Sequence, residues 1–333
     1  MNFLSFVGND EVKKRLSDYF INGRLPHFII LQGEDGTGKR TLSKLIASAA
    51  VCRSDAFSAP CFKCPACIRA KTGSHPDIKT VVGSGVSGQI SVESIKNIIE
   101  DAYLRPEESD YSIYLIHAGN VMSEATQNKL LKIIEEPPAG VVFILCIKSA
   151  ESLLPTVRSR ASIFTLKAPS ESEALSFLEN EYPETDKEVI LTAINSYSSN
   201  IGKIKAFLED NKEGAVSPSV EAASKMASIL TKSDEISFIK TLCPFIKDKQ
   251  KLSAVISNLA EIFRDAVIAK SGSDNLISVN KAVAVKLCSQ LTMQKLLALP
   301  EICRKYQELL GKNANTALLC TAFCAELKKA AGK

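Results

Sequence analysis

The first half of the chain alternates short apolar runs with longer segments in which apolar residues recur at helical spacing. Apolar residues three or four positions apart predict helices over 9–22, after a glycine loop at 33–41, and after the N-cap residues Ser91 and Ser123. This alternation predicts an α/β domain over residues 1–168, with a parallel sheet covered by helices on both faces. The apolar runs, typical of buried strands, lie at 28–31, 77–82, 112–116, 141–147 and 162–166.

Beyond residue 168 the strand pattern stops and helical spacing alone remains. Pro169 opens a segment that we predict to form a small helical domain over 169–213, and the composition of 214–218 indicates a linker. The remainder, 219–333, is predicted to be an all-α domain. Its apolar spacing predicts helices at 236–246, 252–270, 281–299, 301–310 and 316–330.

Composition and charge restrict the class of protein. Of the 333 residues, 45% are hydrophobic, which is enough for sizeable cores. No uncharged apolar run approaches the ~20 residues of a membrane span, and the first residues lack the pattern of a signal peptide. We therefore expect a cytoplasmic protein without membrane contact. Residues 216–333 carry 17 basic against 10 acidic side chains, which fits nucleic acid, an acidic partner or simply solvated helix faces.

The glycine loop at 33–41 lies between the first strand and a helix, which is the context of a phosphate-binding loop. In the pattern G-x-x-x-x-G-K-[ST] a hydroxyl follows the lysine and holds magnesium, but here Arg40 follows Lys39. Thr41 lies about 100° further round the helix and is not expected to replace that ligand. If phosphate binding is retained, we expect it to involve Gly33, Gly36, Thr37, Gly38, Lys39 and Thr41.

The strand at 112–116 is followed by His117 and Ala118, where hydrolysis of ATP requires two acidic residues. The first of these acids holds magnesium and the second polarises the attacking water. Loss of the general base alone costs ~10²–10⁴ in rate. We therefore expect intrinsic, magnesium-dependent ATP hydrolysis to be lost, with His117 as a substitute base the alternative. The sequence leaves binding of ATP or ADP open.

Four cysteines with the spacing C-x8-C-x2-C-x2-C predict a metal site. Thiolates two residues apart turn in on one ion through a tight knuckle, and four of them complete a tetrahedral shell. Zinc suits this donor set, and a site without an open position is structural. Free thiols and an iron–sulfur cluster are the alternatives. The predicted ligands, in a module at about 52–67, are Cys52, Cys61, Cys64 and Cys67.

Taken together, these motifs resemble the clamp-loader branch of the AAA+ ATPases. The glycine loop is followed by a four-cysteine knuckle where bacterial members insert one, and the stretch 128–138 looks like the family's segment after its second ATPase motif. Ser159-Arg160 matches the family's Ser-Arg-Cys motif, although Ala161 replaces the cysteine. The residues 313–315 resemble, more weakly, the start of a collar helix.

This resemblance implies a P-loop domain with a zinc-knuckle insertion, a helical lid and an oligomerisation collar. It implies a non-hydrolysing stator whose Arg160 acts as an arginine finger in the neighbour's ATP site. The implied partners are the motor and clamp-opening subunits, bound through the collar and the AAA+ interface, together with the sliding clamp and primer-template DNA. Two alternatives stay open, namely a working ATPase motor of the same family and a zinc-containing DNA-binding module that uses the basic helices.

Overall fold

The fold is described from a computed structural model of the chain. The first of its two compact units comprises Met1–Ile194 and Ser198–Ile204, and the second comprises Asn195–Tyr197 and Lys205–Lys333. The domain boundaries named above stay a prediction, and residues 214–217 of the predicted linker lie outside the described part. The described residues are 3, 5–55, 57–83, 88–118, 122–212, 218–231, 235–272, 276, 278, 281–311 and 315–332.

A five-stranded parallel sheet forms the centre of the first unit, which confirms the α/β prediction. Its strands are β1 (Phe28–Gln32), β2 (Ile78–Val82), β3 (Ser112–His117), β4 (Val141–Ile147) and β5 (Ser162–Thr165). They lie in the order β2-β3-β4-β1-β5. Because all neighbours are parallel, the carboxyl ends of β1, β3 and β4 meet at one edge. The glycine loop and His117 are therefore at the same edge of the sheet.

Helices cover both faces of this sheet. Ile29 and Leu31 of β1 point into one hydrophobic core, whereas Phe28 and Ile30 point into the other. The helices up to residue 212 are α1 (Asp10–Ile21), α2 (Lys39–Ala50), α3 (Pro65–Thr72), α4 (Val92–Ala102), α5 (Glu124–Glu135), α6 (Pro155–Arg158), α7 (Glu171–Glu181), α8 (Lys187–Ser196) and α9 (Ile201–Lys212). Helices α1, α2 and α3 contribute to the first core and α4 and α5 to the second.

The second unit is helical around its own core, as predicted. One predicted boundary is wrong, because the chain breaks near Thr292 and then continues as one helix through Pro300. Proline in a helix interior costs ~3 kcal/mol, but buried side chains on both sides of it, such as Leu296 and Tyr306, favour a continuous helix. The helices are α10 (Pro218–Ile229), α11 (Glu235–Leu242), α12 (Lys249–Lys270), α13 (Lys281–Gln290), α14 (Met293–Leu310) and α15 (Thr316–Ala331).

The collar resemblance at 313–315 is only partly visible in the fold. Residues 313 and 314 lie outside the described part, whereas Asn315 caps α15 by accepting hydrogen bonds from the N–H groups of Ala317 and Leu318. Among the described helices, none combines the length and the apolar character that a membrane crossing requires.

Candidate functional site

The glycine loop between β1 and α2 holds the predicted phosphate-binding lysine against its own carbonyl groups. The Lys39 ammonium donates hydrogen bonds to the carbonyl oxygens of Gly33 and, at 2.9 Å, Glu34. It also lies 3.5 Å from a carboxylate oxygen of Asp35. Burial lowers the pKa of Lys39, although Asp35 opposes that shift. Lys39 thus lies within the loop, and its hydrogen bonds join the end of the loop to the carbonyl groups at its start.

The N-terminal end of α9, together with the residue before it, lies directly on this loop. The side-chain amide of Asn200 donates to the carbonyl of Asp35 at 2.9 Å, and the N–H of Gly202 donates to the carbonyl of Gly36 at 3.0 Å. A Cβ on Gly202 would lie 2.5 Å from the Gly36 Cα, so only glycine permits this approach. The four carbonyls of residues 33–36 therefore all accept hydrogen bonds from this chain.

His117 ends β3 at the position where ATP hydrolysis requires a carboxylate. The residue is 3% exposed, and its Nε2 lies 3.1 Å from the Ser43 hydroxyl oxygen. Because that hydroxyl donates to the carbonyl of Arg40 at 2.9 Å, the network assigns the proton to Nε2, which donates to Ser43. Burial, helped by the charges of Arg40 and Lys44, lowers the pKa of His117 to about 4. The ring is therefore neutral near pH 7 and its Nε2 is committed to Ser43.

The four predicted zinc ligands lie together beside α2 and α3. Their Sγ atoms all lie within 4.8 Å of one another, and those of Cys61 and Cys67 are 4.0 Å apart. Four thiolates around zinc at ~2.3 Å would be ~3.8 Å apart. The donor set and its spacing therefore fit a closed, tetrahedral structural zinc site formed by Cys52, Cys61, Cys64 and Cys67.

Hydrogen bonds to sulfur and burial shift the pKa values of these cysteines in different directions. Backbone N–H groups of Lys63 and Cys64 lower the pKa of Cys61 to about 6, whereas burial raises the pKa of Cys67. The Cys67 sulfur also lies 3.8 Å from the carbonyl oxygen of Ser48 in α2. The cysteine module is therefore attached to the same helix that begins at the glycine loop.

Arg160, the predicted arginine finger, lies two residues beyond α6. One guanidinium nitrogen is 2.9 Å from a carboxylate oxygen of Glu135 at the end of α5, and another donates to the carbonyl of Thr156 at 2.9 Å. The arginine side chain remains 38% exposed. Within this chain Arg160 thus forms a surface ion pair that leaves the guanidinium accessible to solvent.

Several residues of these sites were not identified from the sequence. Ser43 bonds His117, Asn200 covers the glycine loop and Glu135 pairs with Arg160. Ser43 carried a usable signal, since it lies four residues after Lys39 on the same helical face. All three contacts join residues distant in the sequence, and no local pattern marks Asn200 or Glu135.

Comparison with known proteins places these features in context. Residues 8–170 match a protein family described as DNA polymerase III, delta subunit. DNA polymerase III subunit gamma of Buchnera aphidicola subsp. Schizaphis graminum is 32% identical over 179 residues, which cover 54% of this chain and 48% of that protein. Subunit gamma of Buchnera aphidicola subsp. Acyrthosiphon pisum is 26% identical over 265 residues, which cover 78% of this chain and 72% of that protein. The chain thus matches about half the length of the first relative.

A solved structure shares the fold across most of the chain. It is a DNA polymerase III gamma subunit-related protein from Thermotoga maritima, 18% identical to this chain, with a TM-score of 0.50. The match covers 96% of this chain and 98% of that one. At this identity the likeness shows a common fold.

Proposed function

We infer from the match of residues 8–170 to the family described as DNA polymerase III, delta subunit, together with the motifs that resemble the clamp-loader branch of the AAA+ ATPases, that this chain is a delta-prime-like subunit of a bacterial DNA polymerase III clamp loader. In this role it does not hydrolyse ATP itself. It acts as a stator that completes a partial ring of subunits, and the ring loads the sliding clamp onto primer-template DNA.

The observation that carries the non-hydrolysing assignment is the buried contact between His117 and Ser43. A neutral imidazole stands where a carboxylate would hold magnesium, and Arg40 replaces the hydroxyl of the magnesium ligand. The contact of Asn200 and Gly202 with the glycine loop involves only its carbonyl groups, whereas a phosphate would bind its N–H groups, so this contact bears on the shape of the loop. Hydrogen bonds to all four of these carbonyls fix the conformation of the loop. We therefore assign the loop a structural role, with Lys39 part of its hydrogen-bond network.

Arg160 is the residue that we propose to take part in chemistry, in the ATP site of a neighbouring subunit. A guanidinium in that position stabilises the charge of the transferring phosphoryl group, an effect of ~10³–10⁵ in rate. The ion pair with Glu135 is exposed and therefore weak. It is suited to orient Arg160 in the free chain and to release it to a phosphate in the assembly.

The four cysteines would hold zinc, which would supply a cross-link for the module beside α2. Family membership also suggests the partners, which are the motor and clamp-opening subunits, the sliding clamp and primed DNA. We assign the helical second unit, with its excess of basic side chains, to subunit assembly.

Reconstitution tests the stator role. A clamp loader assembled from gamma and delta subunits is supplied with this chain, and loading of a labelled clamp onto primed circular DNA is followed by fluorescence. We expect loading to require the chain and to proceed at the same rate with Lys39→Ala. Loading at full rate without the chain would refute the proposed role.

A working motor is the second candidate, because the two curated relatives compared above are gamma subunits. The purified chain with ATP and magnesium distinguishes the two roles. A stator shows no turnover, whereas turnover that disappears in Lys39→Ala would establish the motor.

A further inference from the structure

A groove between α2 and α3 shares Arg40 and Thr41 with the start of α2, but its other lining residues have no part in the roles assigned above. It has a volume of about 460 Å³, within the range of ligand pockets. Its α2 side is formed by residues 40, 41, 44, 45 and 48. At 100° per residue these positions form one stripe centred opposite Lys39, so the groove is separate from the interior of the glycine loop.

The floor and wall of this groove are apolar. Leu45 and Ala70 are buried beneath it, and Phe62 stands beside them with 39% of its surface exposed. Phe62 lies between two zinc-ligand candidates and has a φ of +57°, a conformation that a bulky residue adopts only when its surroundings impose it. The cysteine module thus holds an aromatic side chain at the edge of a pocket, where burial by a ligand would be favourable.

The rim of the groove is basic. Arg40, Lys44 and Lys71 border it, and among the described residues no acidic side chain does. None of the three cations forms an ion pair with another residue in the part of the chain that the structure describes. Arg40 and Lys44 are one helical turn apart, a separation of ~6 Å between their Cβ atoms, and their charges contribute to the low pKa of the neighbouring His117. The groove therefore combines an apolar floor with uncompensated positive charge.

We propose that this groove between α2 and α3 binds an acidic segment of a partner protein, with an apolar side chain of that segment inserted against Phe62, Leu45 and Ala70. Carboxylates two residues apart in an extended peptide are ~7 Å apart, which matches the spacing of Arg40 and Lys44. Single-stranded nucleic acid fits less well, because its binding uses a series of aromatic platforms along a basic track. Here one aromatic side chain borders a single pocket.

Selection from a displayed library of random nine-residue peptides on the full chain tests this site. We expect enriched peptides to combine two or more acidic residues with a neighbouring Leu, Ile, Met or Phe. The double variant Lys44→Glu/Lys71→Glu should weaken an enriched peptide by about tenfold or more, and Phe62→Ser should weaken it similarly. The control Lys14→Glu/Lys247→Glu changes the charge equally at exposed positions outside the groove and should leave binding unchanged.

A footprint on the wild-type chain makes the test independent of variant folding. Bound peptide should slow acetylation of Lys44 and Lys71 but not of Lys14. Selection of peptides without acidic residues, or equal loss of binding in both double variants, would overturn the proposal. Tighter binding of a labelled 20-nucleotide oligo(dT), lost in Lys44→Glu/Lys71→Glu, would also overturn it and assign the groove to nucleic acid. Because the measurement uses the isolated chain, its outcome is independent of clamp loading.

Discussion

The glycine loop and the Arg160 corner, by which we mean residues 156–160 with Glu135, both hold a basic side chain against backbone carbonyls. In the loop, Lys39 is largely withdrawn from solvent, and residues from a distant helix cover the carbonyls that remain. At the corner, Arg160 is partly exposed and has one carboxylate partner at the surface. The four carbonyls of the loop are thus all hydrogen-bonded within the chain, whereas the guanidinium of Arg160 stays partly open to solvent.

Under the proposed stator role, this difference would separate the two regions by what each contributes. The loop keeps its glycines because close backbone contacts need them, even where the residues for magnesium are replaced. The corner, by contrast, needs only an arginine whose intramolecular bond is weak. We therefore expect substitutions in the loop to affect stability and substitutions at the corner to affect the neighbour's chemistry.

Metal removal should have the largest effect and should separate the two regions. Because the four cysteines form one site, Cys64→Ser should lose about one zinc per chain. The effect should be large, since structural zinc contributes ~10–16 kcal/mol of binding free energy in small domains. Because the Cys67 sulfur contacts α2 at Ser48, hydrogen exchange should increase in α3 and α2 but not at residues 156–160. Unchanged exchange in α3, or a wild-type chain that contains no zinc, would contradict the assigned site.

A methyl group on Gly36 should disrupt the contact between the glycine loop and Asn200. Gly36 has a φ of +90°, and a Cβ there would lie 2.1 Å from the Asn200 Oδ1. Backbone strain and overpacking together predict that Gly36→Ala lowers the free energy of unfolding by about 3 kcal/mol.

The matched control is Gly73→Ala, which has a φ of +74° and no atom within 4 Å of its Cβ. It should cost only the backbone strain, about 1 kcal/mol. Urea unfolding measures both variants. Equal losses would mean that the contact between residues 36 and 200 does not constrain the loop.

Acid should weaken the α/β unit through His117. Its pKa is lowered from an ordinary value of 6.5 to about 4 in the folded chain. The unfolded chain therefore binds the proton more readily than the folded chain. The stability that the neutral ring gives the fold is fully present above pH 6.5 and is lost as the pH falls towards 4. The loss should reach about 2 kcal/mol by pH 5. In His117→Gln this part of the pH dependence should be absent, and an unaltered profile in that variant would show that the ring does not titrate as described.

The smallest effect is expected at the Arg160 corner. Because its ion pair is exposed, Glu135→Ala should lower the free energy of unfolding by less than about 1 kcal/mol, and high salt should reduce the difference. Glu136→Ala changes the adjacent exposed carboxylate and serves as the control. A loss above about 2 kcal/mol for Glu135→Ala would mean that the corner, like the loop, is a structural element.

The sheet and the cysteine cluster could be predicted because each leaves a local pattern. Apolar runs marked the strands within one or two residues, and the cysteine spacing brought four sulfur atoms together as expected. Pro300 misled the prediction, because helix propensity is local whereas the packing around α14 is not.

The state of the two basic sites could not be predicted in the same way. The contact between Asn200 and the loop joins residues 165 positions apart in the chain. The spacing of the glycines and the lysine predicts a phosphate-binding loop. It does not predict that Asn200 and Gly202 donate hydrogen bonds to that loop. Likewise, the Ser159-Arg160 pair predicts an arginine finger from the sequence, but only the fold shows that Arg160 forms an ion pair with Glu135.

ATP turnover by the reconstituted complex tests the central claim most directly, with Arg160→Ala and Lys39→Ala of this chain compared side by side. Sedimentation is the control that must first show assembly of both variants with wild-type partners. We predict that Arg160→Ala lowers turnover at the adjoining site by ~10³-fold or more, whereas Lys39→Ala leaves turnover unchanged. Normal turnover with Arg160→Ala, together with loss of turnover in Lys39→Ala, would contradict the account and make this chain a motor.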